Sequence, residues 1–301
     1  MREKDVLMEI DLPFPKLGKK EAGEAKKTKI REVFDVGQNL ILMVATDRVS
    51  VNDIVLLSGI PGKGEVLTKI SAYWFKETKD VCLNAFISDE WDDFPIEVIE
   101  ELKDYRNLIE NRSMLMFKTR PFPVECIVRN KLLESGWDSY IATGTLHGIP
   151  LPKGMQKGDK LPAPAFTPST KAKVGKHDEN ITFGRMQEII GPDNALRLRS
   201  LSLSLYCYAQ SHARQKGIEI DDTKFEFGIF VSSGELMQID ESLTPDSSRY
   251  NPDYSKQPLR DYLKKIGWDK TPIELPDEVI KKTSRDYIKG CEILTGHKVK
   301  L

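Results

Sequence analysis

A β-hairpin predicted between residues 221 and 249 constrains the fold of this chain more than any other segment. The segment reads DDTKFEFGIFVSSGELMQIDESLTPDSSR, and it divides into strands at 224–231 and 235–240, joined by a loop of ordinary hairpin length. Since side chains alternate between the two faces of a strand, Phe225 and Phe227 share one face. The other face carries Lys224 and Glu226, and also Asp222 if the strand begins earlier.

The register of this hairpin decides which side chains face each other. The pairing that aligns the apolar residues sets Phe227 opposite Ile239, and it also sets Glu226 opposite Asp240. Two facing carboxylates repel each other unless a cation lies between them. A Mg²⁺ ion beside Lys224 would remove this repulsion, but Lys224 could instead neutralise both acids on a solvated face. Both interpretations are open at this point.

The composition argues against several classes of protein. A chain of 301 residues with a formal net charge of −1 lacks the basic excess of nucleic-acid binders and of proteins that bind membrane surfaces. The N-terminal segment MREKDVLMEIDLPFP is charged throughout, so we do not expect secretion. No apolar run approaches the length needed to span a bilayer, so we do not expect a membrane span. The four cysteines show no CxxC spacing, which argues against a disulfide framework or a structural zinc site. We therefore expect a cytoplasmic globular protein with reduced thiols.

We predict an α+β fold with two lobes. Residues 1–121 form an N-terminal, mainly antiparallel β lobe, with strands at 29–36, 40–45, 81–88 and 113–119 and helices at 66–78 and 95–104. The proline-rich joint at 121–123 leads to a C-terminal α/β lobe at 122–301. This lobe contains a strand at 124–129, the hairpin, and helices at 183–190, 193–216, 259–266 and 277–295. A proline- and glycine-rich excursion at 147–170 is too long for a simple connection.

Polar residues near the first two strands are candidates for ligand binding. Lys29 and Arg31 lie on one face of the first predicted strand, which a turn at 37–39 joins to the buried strand 40–45. Such a strand–turn–strand could cover phosphates as a flap, although a solvent-facing basic strand edge is the more common arrangement. Asp47, Arg48 and Ser50 follow the second strand, at a strand end where binding residues often lie.

Two further groups of polar residues complement this flap. The donors suited to a phosphate or a carboxylate are Arg129, Ser135 and Arg249. The candidate metal ligands beside Lys224 are Glu226 and either Asp240 or Glu241. Two anion sites flanking one metal ion are what phosphoryl transfer from a nucleotide to an anionic substrate requires. Such chemistry asks for positioning and charge stabilisation, in agreement with the lack of any Ser-His-Asp or Cys-His pattern.

These residues lie in segments that resemble one family. The segments are TKIREVFDVG, ATDRVSVNDIVL, IPGKGEVLTKIS, ECIVRNKLLESGW, FTPSTKAKVGKHDENI, DDTKFEFGIF and IDESLTPDSSR, which cover about residues 28–250. In sequence and in order they are similar to the SAICAR synthetase family, the phosphoribosylaminoimidazole-succinocarboxamide synthases of purine biosynthesis. The resemblance implies two lobes with an ATP cleft between them.

The resemblance also implies an activity. Enzymes of this family are ATP-dependent ligases that join L-aspartate to the carboxylate of carboxyaminoimidazole ribotide (CAIR), giving SAICAR, ADP and phosphate. ATP would phosphorylate the CAIR carboxylate, and the aspartate amine would displace phosphate from the resulting acyl phosphate. The implied cofactors are ATP and Mg²⁺. The expected partners are these small molecules, with neither nucleic acid nor membrane, and we expect a monomer or a weak homodimer.

Residue roles carry over from the resemblance position by position. The residues implied for ATP are Lys29, Arg31, Glu125, Ile127 and Lys224. Those implied for CAIR are Arg129, Ser135 and Arg249, and the implied Mg²⁺ ligand is Glu226. Strand alternation makes Asp240 the second metal ligand, whereas counting back from Pro245 by shorter members makes it Glu241; we prefer Asp240. Loop position and charge alone suggest Asp47, Arg48 and Ser50 for aspartate.

Three positions depart from the family pattern. Thr28 and Glu134 stand where many members have glycine, and Asn52 stands where an aromatic residue is frequent. None of these changes removes a proposed charge or metal ligand. Two other functions would use part of the same set of residues. A small-molecule kinase would use the same ATP and Mg²⁺ groups, and a nucleotide-binding regulatory protein would lack the catalytic charges, which are present here.

Overall fold

The computed structural model describes residues 6–17, 30–52, 54–171 and 178–299, which form an α+β fold around two antiparallel sheets. In chain order the strands are β1 (Arg31–Gly37), β2 (Leu40–Ala45), β3 (Arg48–Val51), β4 (Ile54–Gly59), β5 (Phe86–Ser88), β6 (Ser113–Phe117), β7 (Thr119–Pro121), β8 (Val124–Lys131), β9 (Thr145–Leu146), β10 (Ile149–Pro150), β11 (Lys160–Phe166), β12 (Ser169–Thr170), β13 (Glu219–Phe230), β14 (Leu236–Ile239) and β15 (Ser248–Asn251). The helices are α1 (Lys63–Glu77), α2 (Ile96–Leu102), α3 (Arg106–Ile109), α4 (Glu134–Thr143), α5 (Phe183–Ile190), α6 (Pro192–Gln215), α7 (Gln257–Lys265) and α8 (Asp277–Thr295).

The first sheet has the strand order β1-β2-β6-β5. The tight turn between β1 and β2 contains Gly37, Gln38 and Asn39, all with positive φ, the backbone conformation that glycine and asparagine adopt most easily. The predicted strand at 40–45 is confirmed as β2. The predicted strand at 81–88 is shorter than expected: its last three residues form β5, and Asn84 makes only an isolated bridge to Gln238.

The second sheet has the order β11-β8-β13-β14, with β7 and β15 also paired to β13. Its central strand β13 has twelve residues and is buried on both faces, so that Phe225 and Glu226 are both under 7% exposed. Helix α6 packs against this strand, and the Tyr206 hydroxyl donates to the Ile220 carbonyl oxygen at 2.5 Å. Part of the excursion at 147–170 is ordered as β11, which extends the sheet beside β8.

The hairpin register differs from the prediction by one residue. Glu226 pairs with Ile239 and Phe227 with Gln238, so the predicted pairing of Glu226 with Asp240 was wrong. The prediction assumed one apolar and one solvated face, but both faces are buried, and the connection between the strands is longer than three residues. Asp240 lies just beyond β14 with φ of 64°, a left-handed conformation that ends the ladder.

The two sheets share their packing elements. The chain leaves the first sheet at β7, close to the predicted division at residue 121. Nevertheless α1, which precedes that division, is buried in the core of the second sheet, where Leu67 and Trp74 lie with Tyr206 and Tyr287. A smaller core joins β3 and β4 to α7 and α8. In the part of the chain described, no helix has the length and apolar character of a membrane span.

Candidate active site

Three carboxylates surround the ammonium group of Lys224 on β13. Its Nζ is 2.6 Å from Glu226 Oε1, 3.0 Å from Glu125 Oε1 and 4.0 Å from Asp240 Oδ2. Lys224 lies opposite Ile127 of β8, and Glu125 lies two residues before Ile127. Since strand side chains alternate, this pairing places the charged groups on one face of the sheet. The turn after β14 adds Asp240 to them.

Burial and charge act on the pKa values of this cluster. Burial would raise the pKa of Glu226, but the ammonium groups of Lys224 and Lys171 outweigh it and hold the pKa below its ordinary value. Burial raises the pKa of Asp240, and the charge of Glu226 raises it further, while Lys224 opposes the shift. Asp240 is therefore the acid whose ionised form an added cation would favour most.

Glu241 is engaged in a separate ion pair. Its Oε2 accepts a hydrogen bond from Arg31 Nη2 at 2.6 Å and another from the Thr244 hydroxyl. Arg31 begins β1 and is 8% exposed, so it is not the open flap cation that the sequence suggested. Lys29, the other predicted flap residue, lies outside the described residues. Of the two candidates for the second metal ligand, Asp240 is the one beside Glu226 and Lys224.

A second cluster joins two arginines through a carboxylate. Asp222 of β13 lies opposite both Arg129 of β8 and Arg249 of β15. Its Oδ2 is 3.5 Å from Arg129 Nη1 and accepts a hydrogen bond from Arg249 Nη1. Arg129 Nη2 also lies 3.2 Å from Ser135 Oγ. Three of these residues, Arg129, Ser135 and Arg249, are the anion-binding donors that the sequence predicts. Asp222 was not predicted as a site residue, although strand alternation places Asp222 on the same face as Lys224.

These side chains line a cavity of about 200 Å³. Its walls include the three predicted CAIR residues, together with Ile127, Asp222 and Lys224. Next to Ser135, Glu134 has φ of 41°. A left-handed backbone at this position explains why glycine would be favoured there.

The residues suggested for aspartate have different environments. Asp47 is fully buried, and its carboxylate accepts hydrogen bonds from Leu7 N, Gly64 N and Arg112 Nη1 at 2.8, 2.8 and 2.9 Å. Arg48 is buried and lies 2.7 Å from Glu32. Asp47 therefore joins the N-terminal segment to α1, and Arg48 joins β3 to β1. Ser50 lines an open cleft of about 1110 Å³.

A buried network that the sequence did not predict lies between this cleft and the smaller cavity. Asp246 Oδ2 is 2.7 Å from Lys63 Nζ, and Asp246 Oδ1 is 3.2 Å from Lys256 Nζ and 2.6 Å from the Tyr287 hydroxyl. Burial would raise the pKa of Asp246, but Lys256 and Lys63 lower it far more. Burial lowers the pKa of Lys63 to about 8. The partners lie far apart in sequence, on α1, before α7 and on α8, so no local pattern could reveal them.

Arg260 of α7 connects the two cavities. It lines both of them, is half-buried, and makes no ion pair or side-chain hydrogen bond with any of the described residues. Lys256, one helical turn earlier, donates to the Ser50 carbonyl oxygen at 3.1 Å. A half-buried guanidinium that no described residue engages, at the junction of two cavities, is suited to an anionic ligand.

The sequence model of the SAICAR synthetase family matches residues 24–274 of the chain. The chain belongs to this family. A phosphoribosylaminoimidazole-succinocarboxamide synthase of Geotalea uraniireducens (strain Rf4) is 46% identical over 285 residues, which cover 90% of this chain and 94% of that protein. The enzyme of the same name from Geobacter metallireducens (strain ATCC 53774 / DSM 7210 / GS-15) is 44% identical over 305 residues, covering 97% and 98%.

Solved structures of SAICAR synthetases show the same fold. The enzyme from Saccharomyces cerevisiae, solved in complex with SAICAR, has a TM-score of 0.86 at 34% identity and covers 98% of this chain and 100% of its own. A SAICAR synthetase solved in complex with ADP has a TM-score of 0.67 at 18% identity, which supports the fold alone. As a SAICAR synthetase, the chain is an ATP-dependent ligase of purine biosynthesis that joins aspartate to CAIR.

Proposed function

We propose that this ligase carries out phosphoryl transfer at the Lys224 cluster and holds CAIR at the Arg129–Arg249 cluster. The observation that carries the proposal is the placement of Lys224, which touches three carboxylates and also lines the cavity that contains both arginines. A γ-phosphate bound beside Lys224 would lie next to a carboxylate of a ribotide held by those arginines. Glu125 and Ile127 of β8 are then the candidates for contact with adenine.

We propose Glu226 and Asp240 as the Mg²⁺ ligands. Carboxylate oxygens suit this ion, which in nucleotide sites uses one or two protein carboxylates together with phosphate oxygens. Within the described residues no group of three or more His, Cys, Asp and Glu side chains is arranged to hold a metal. A site of this kind needs only one or two protein carboxylates, since phosphate oxygens supply other ligands. The raised pKa of Asp240 beside Glu226 also fits a site that receives a cation. Bound there, Mg²⁺ would neutralise phosphate charge during transfer.

The other residues of the site bind and orient the two substrates. Lys224 orients the γ-phosphate, Arg129 and Ser135 bind the ribotide phosphate, and Arg249 holds the ribotide against β13. A CAIR carboxylate oxygen attacks the γ-phosphorus of ATP. The bond between this phosphorus and the ADP oxygen breaks, which gives an acyl phosphate and ADP. The aspartate amine next attacks the acyl carbon, a C–N bond forms, and phosphate leaves together with the amine proton.

We further propose that aspartate binds where the two cavities meet. Asp47 and Arg48 are committed to buried contacts, so Ser50 is the part of the original suggestion that we retain. Arg260 supplies a guanidinium for a carboxylate, and Lys256 extends the positive charge toward the cleft. A carboxylate here would lie beside the ribotide pocket, as attack by the amine requires.

Replacing Arg260 tests this assignment. Arg260→Met should raise the KM for aspartate about tenfold or more, because a charge-assisted hydrogen bond contributes about 1.5–3 kcal/mol, while the KM for ATP stays unchanged. Lys265→Met on the same helix, outside both cavities, is the matched control. An unchanged KM for aspartate in Arg260→Met would refute the assignment.

The reaction sequence itself is tested by the dependence of ADP formation on aspartate. With CAIR, ATP and Mg²⁺ present, a ligase forms ADP and the succinocarboxamide in equal amounts, and steady ADP formation requires aspartate. ADP produced at the full rate without aspartate, and without amide, would instead identify a kinase that releases its phosphorylated product. A cytoplasmic location, a monomeric or weakly dimeric state, and independence of nucleic acid remain predictions.

A further inference from the structure

A groove unrelated to the active site lies between β11 and α6. It has a volume of about 520 Å³, within the range of small-molecule sites, roughly 300–1,000 Å³. Buried residues form its floor: Asn130, Leu161, Tyr206 and Gln210. Exposed residues of α6 and of the edge strand β11 form its rim. Because Asn130 follows Arg129 on β8, its side chain projects from the opposite face of the sheet.

An irregularity in the sheet accounts for this groove. On β8 a single residue, Asn130, lies between Arg129 and Lys131, but four residues lie between their partners on β11, Ala165 and Lys160. These four residues, 161–164, bulge opposite Asn130. Two of them, Pro162 and Pro164, have no backbone N–H, so the bulge offers few hydrogen bonds across the gap.

The floor of the groove presents hydrogen-bond donors without partners. Asn130 Nδ2 and Gln210 Nε2 are both buried and form no hydrogen bond with any described residue. Gln210 Oε1 accepts from Ile220 N at 2.7 Å, which orients this amide and leaves its nitrogen unpaired. A buried polar group without a partner costs about 1–3 kcal/mol, so each amide would gain from an acceptor in the groove.

The rim adds positive charge and apolar surface. Lys160 makes no ion pair within the described part of the chain, and Arg214 pairs only with the partly exposed Glu219, at 3.1 Å. Pro162 and Ala163 provide flat apolar contacts along β11. A fitting ligand therefore has carbonyl oxygens at one end, an anionic group at the other, and a flat body between them.

We propose that this groove binds a nucleoside monophosphate whose base carries carbonyl oxygens. The carbonyls accept from the Asn130 and Gln210 amides, and the phosphate lies at Lys160 and Arg214. A base with an amino group in place of the carbonyl would bring a donor toward donors and bind more weakly. The site is separate from the ligase cleft and does not depend on the roles proposed there.

Cys207 reports on occupancy of this groove. It lies on the rim and is the exposed cysteine of the four, since Cys82, Cys126 and Cys291 are buried. Uridine 5′-monophosphate, whose base carries two carbonyl oxygens, should slow the alkylation of Cys207 by a maleimide at least fivefold, with a saturable dependence on concentration. Cytidine 5′-monophosphate, which has an amino group in place of one carbonyl, and inorganic phosphate should protect much less. Equal protection by inorganic phosphate would overturn the recognition of the base.

Two tryptophan variants locate the protection. Ser211→Trp places a large side chain on the rim and should abolish protection, whereas Ser204→Trp, exposed on the same helix but outside the groove, should retain it. Lys160→Gln should weaken protection without changing ligase activity. Protection that persists in Ser211→Trp would place the nucleotide elsewhere, and no protection at 10 mM would refute the proposal.

Discussion

Glu226 accepts hydrogen bonds from two ammonium groups, those of Lys224 and Lys171, while being only 6% exposed. Glu226→Gln removes the negative charge but keeps the size. We expect kcat to fall roughly 100-fold or more, because a metal-binding carboxylate is lost. We also expect the free energy of unfolding to fall by about 3 kcal/mol, because two lysines then lack their shared buried partner. Steady-state kinetics and urea unfolding measure the two effects.

The matched control for this substitution is Glu235→Gln. Glu235 is on the same hairpin but exposed, and among the described residues its carboxylate accepts a hydrogen bond from Ser233 alone. Both kcat and the urea midpoint should stay close to wild type. Normal kcat in folded Glu226→Gln would contradict the assigned role of Glu226, whatever its stability.

Lys63 makes the stability of the protein depend on pH in the alkaline range. Burial lowers its pKa in the folded state from 10.5 to about 8, so between these values the unfolded chain binds the proton and the folded chain does not. The free energy of unfolding should therefore rise with pH across this window, by up to about 3 kcal/mol at 1.36 kcal/mol per pKa unit. Lys63→Met should remove this rise, whereas the exposed Lys79→Met should retain it. Urea unfolding at pH 7.5 and 10 measures the difference, and equal slopes in the two variants would contradict it.

Sequence reasoning found the charged residues that act from neighbouring strand positions. Lys224 and Glu226 are recognisable because they share a strand face. Asp240 is predicted from a pairing with Glu226 that the structure does not contain, and it joins the cluster because it directly follows β14. Lys63 and Asp246 were not recognised, because they meet only through tertiary packing across 183 residues. Arg48 and Asp47 were placed in a pocket because a loop position suggested exposure, whereas buried partners elsewhere in the chain engage them.

At the scale of elements, two glycines in helices differ in the space available for a side chain. A Cβ on Gly64 at the start of α1 would lie 2.4 Å from the Ala45 carbonyl oxygen of β2, a backbone atom with little freedom to move. Gly64→Ala should therefore destabilise the protein by about 1–3 kcal/mol by separating α1 from β2. A Cβ on Gly184 of α5 meets nothing closer than 3.9 Å. Gly184→Ala should instead stabilise by about 0.5–1 kcal/mol through helix propensity.

Thermal unfolding of the two alanine variants checks this contrast. Equal melting temperatures would show that α1 can move away from β2 without loss of stability.

Local sequence signals explain which elements could be predicted. Helix α8 and strand β2 match the predicted bounds because apolar periodicity and flanking glycines mark them locally. The hairpin register could not be predicted from apolar alternation, since both faces of β13 are buried and the polar Gln238 lies opposite Phe227.

At the scale of the whole molecule, the predicted division at residue 121 does not separate two independent cores, because α1 belongs to the core of the second sheet. Helix α1 precedes the division, yet Val66, Leu67, Ile70 and Trp74 are fully buried in the core of the second sheet. At about 1.5–3 kcal/mol for each buried side chain, their removal costs roughly as much as the 5–15 kcal/mol by which whole domains are stable. A fragment of residues 122–301 should therefore fail to fold cooperatively.

Urea unfolding of this fragment and of the full chain tests the expectation. The full chain should unfold in one transition, with far-ultraviolet circular dichroism and tryptophan fluorescence coincident, because the cores around α1 and around β3 and β4 join both parts of the chain. The fragment should show no sigmoidal transition. A fragment of residues 63–301, which retains α1, should recover part of the cooperativity. If residues 122–301 alone gave a sharp transition at the urea midpoint of the full chain, α1 would be an attachment to an independent domain, and the ligand cleft would lie between two separable lobes.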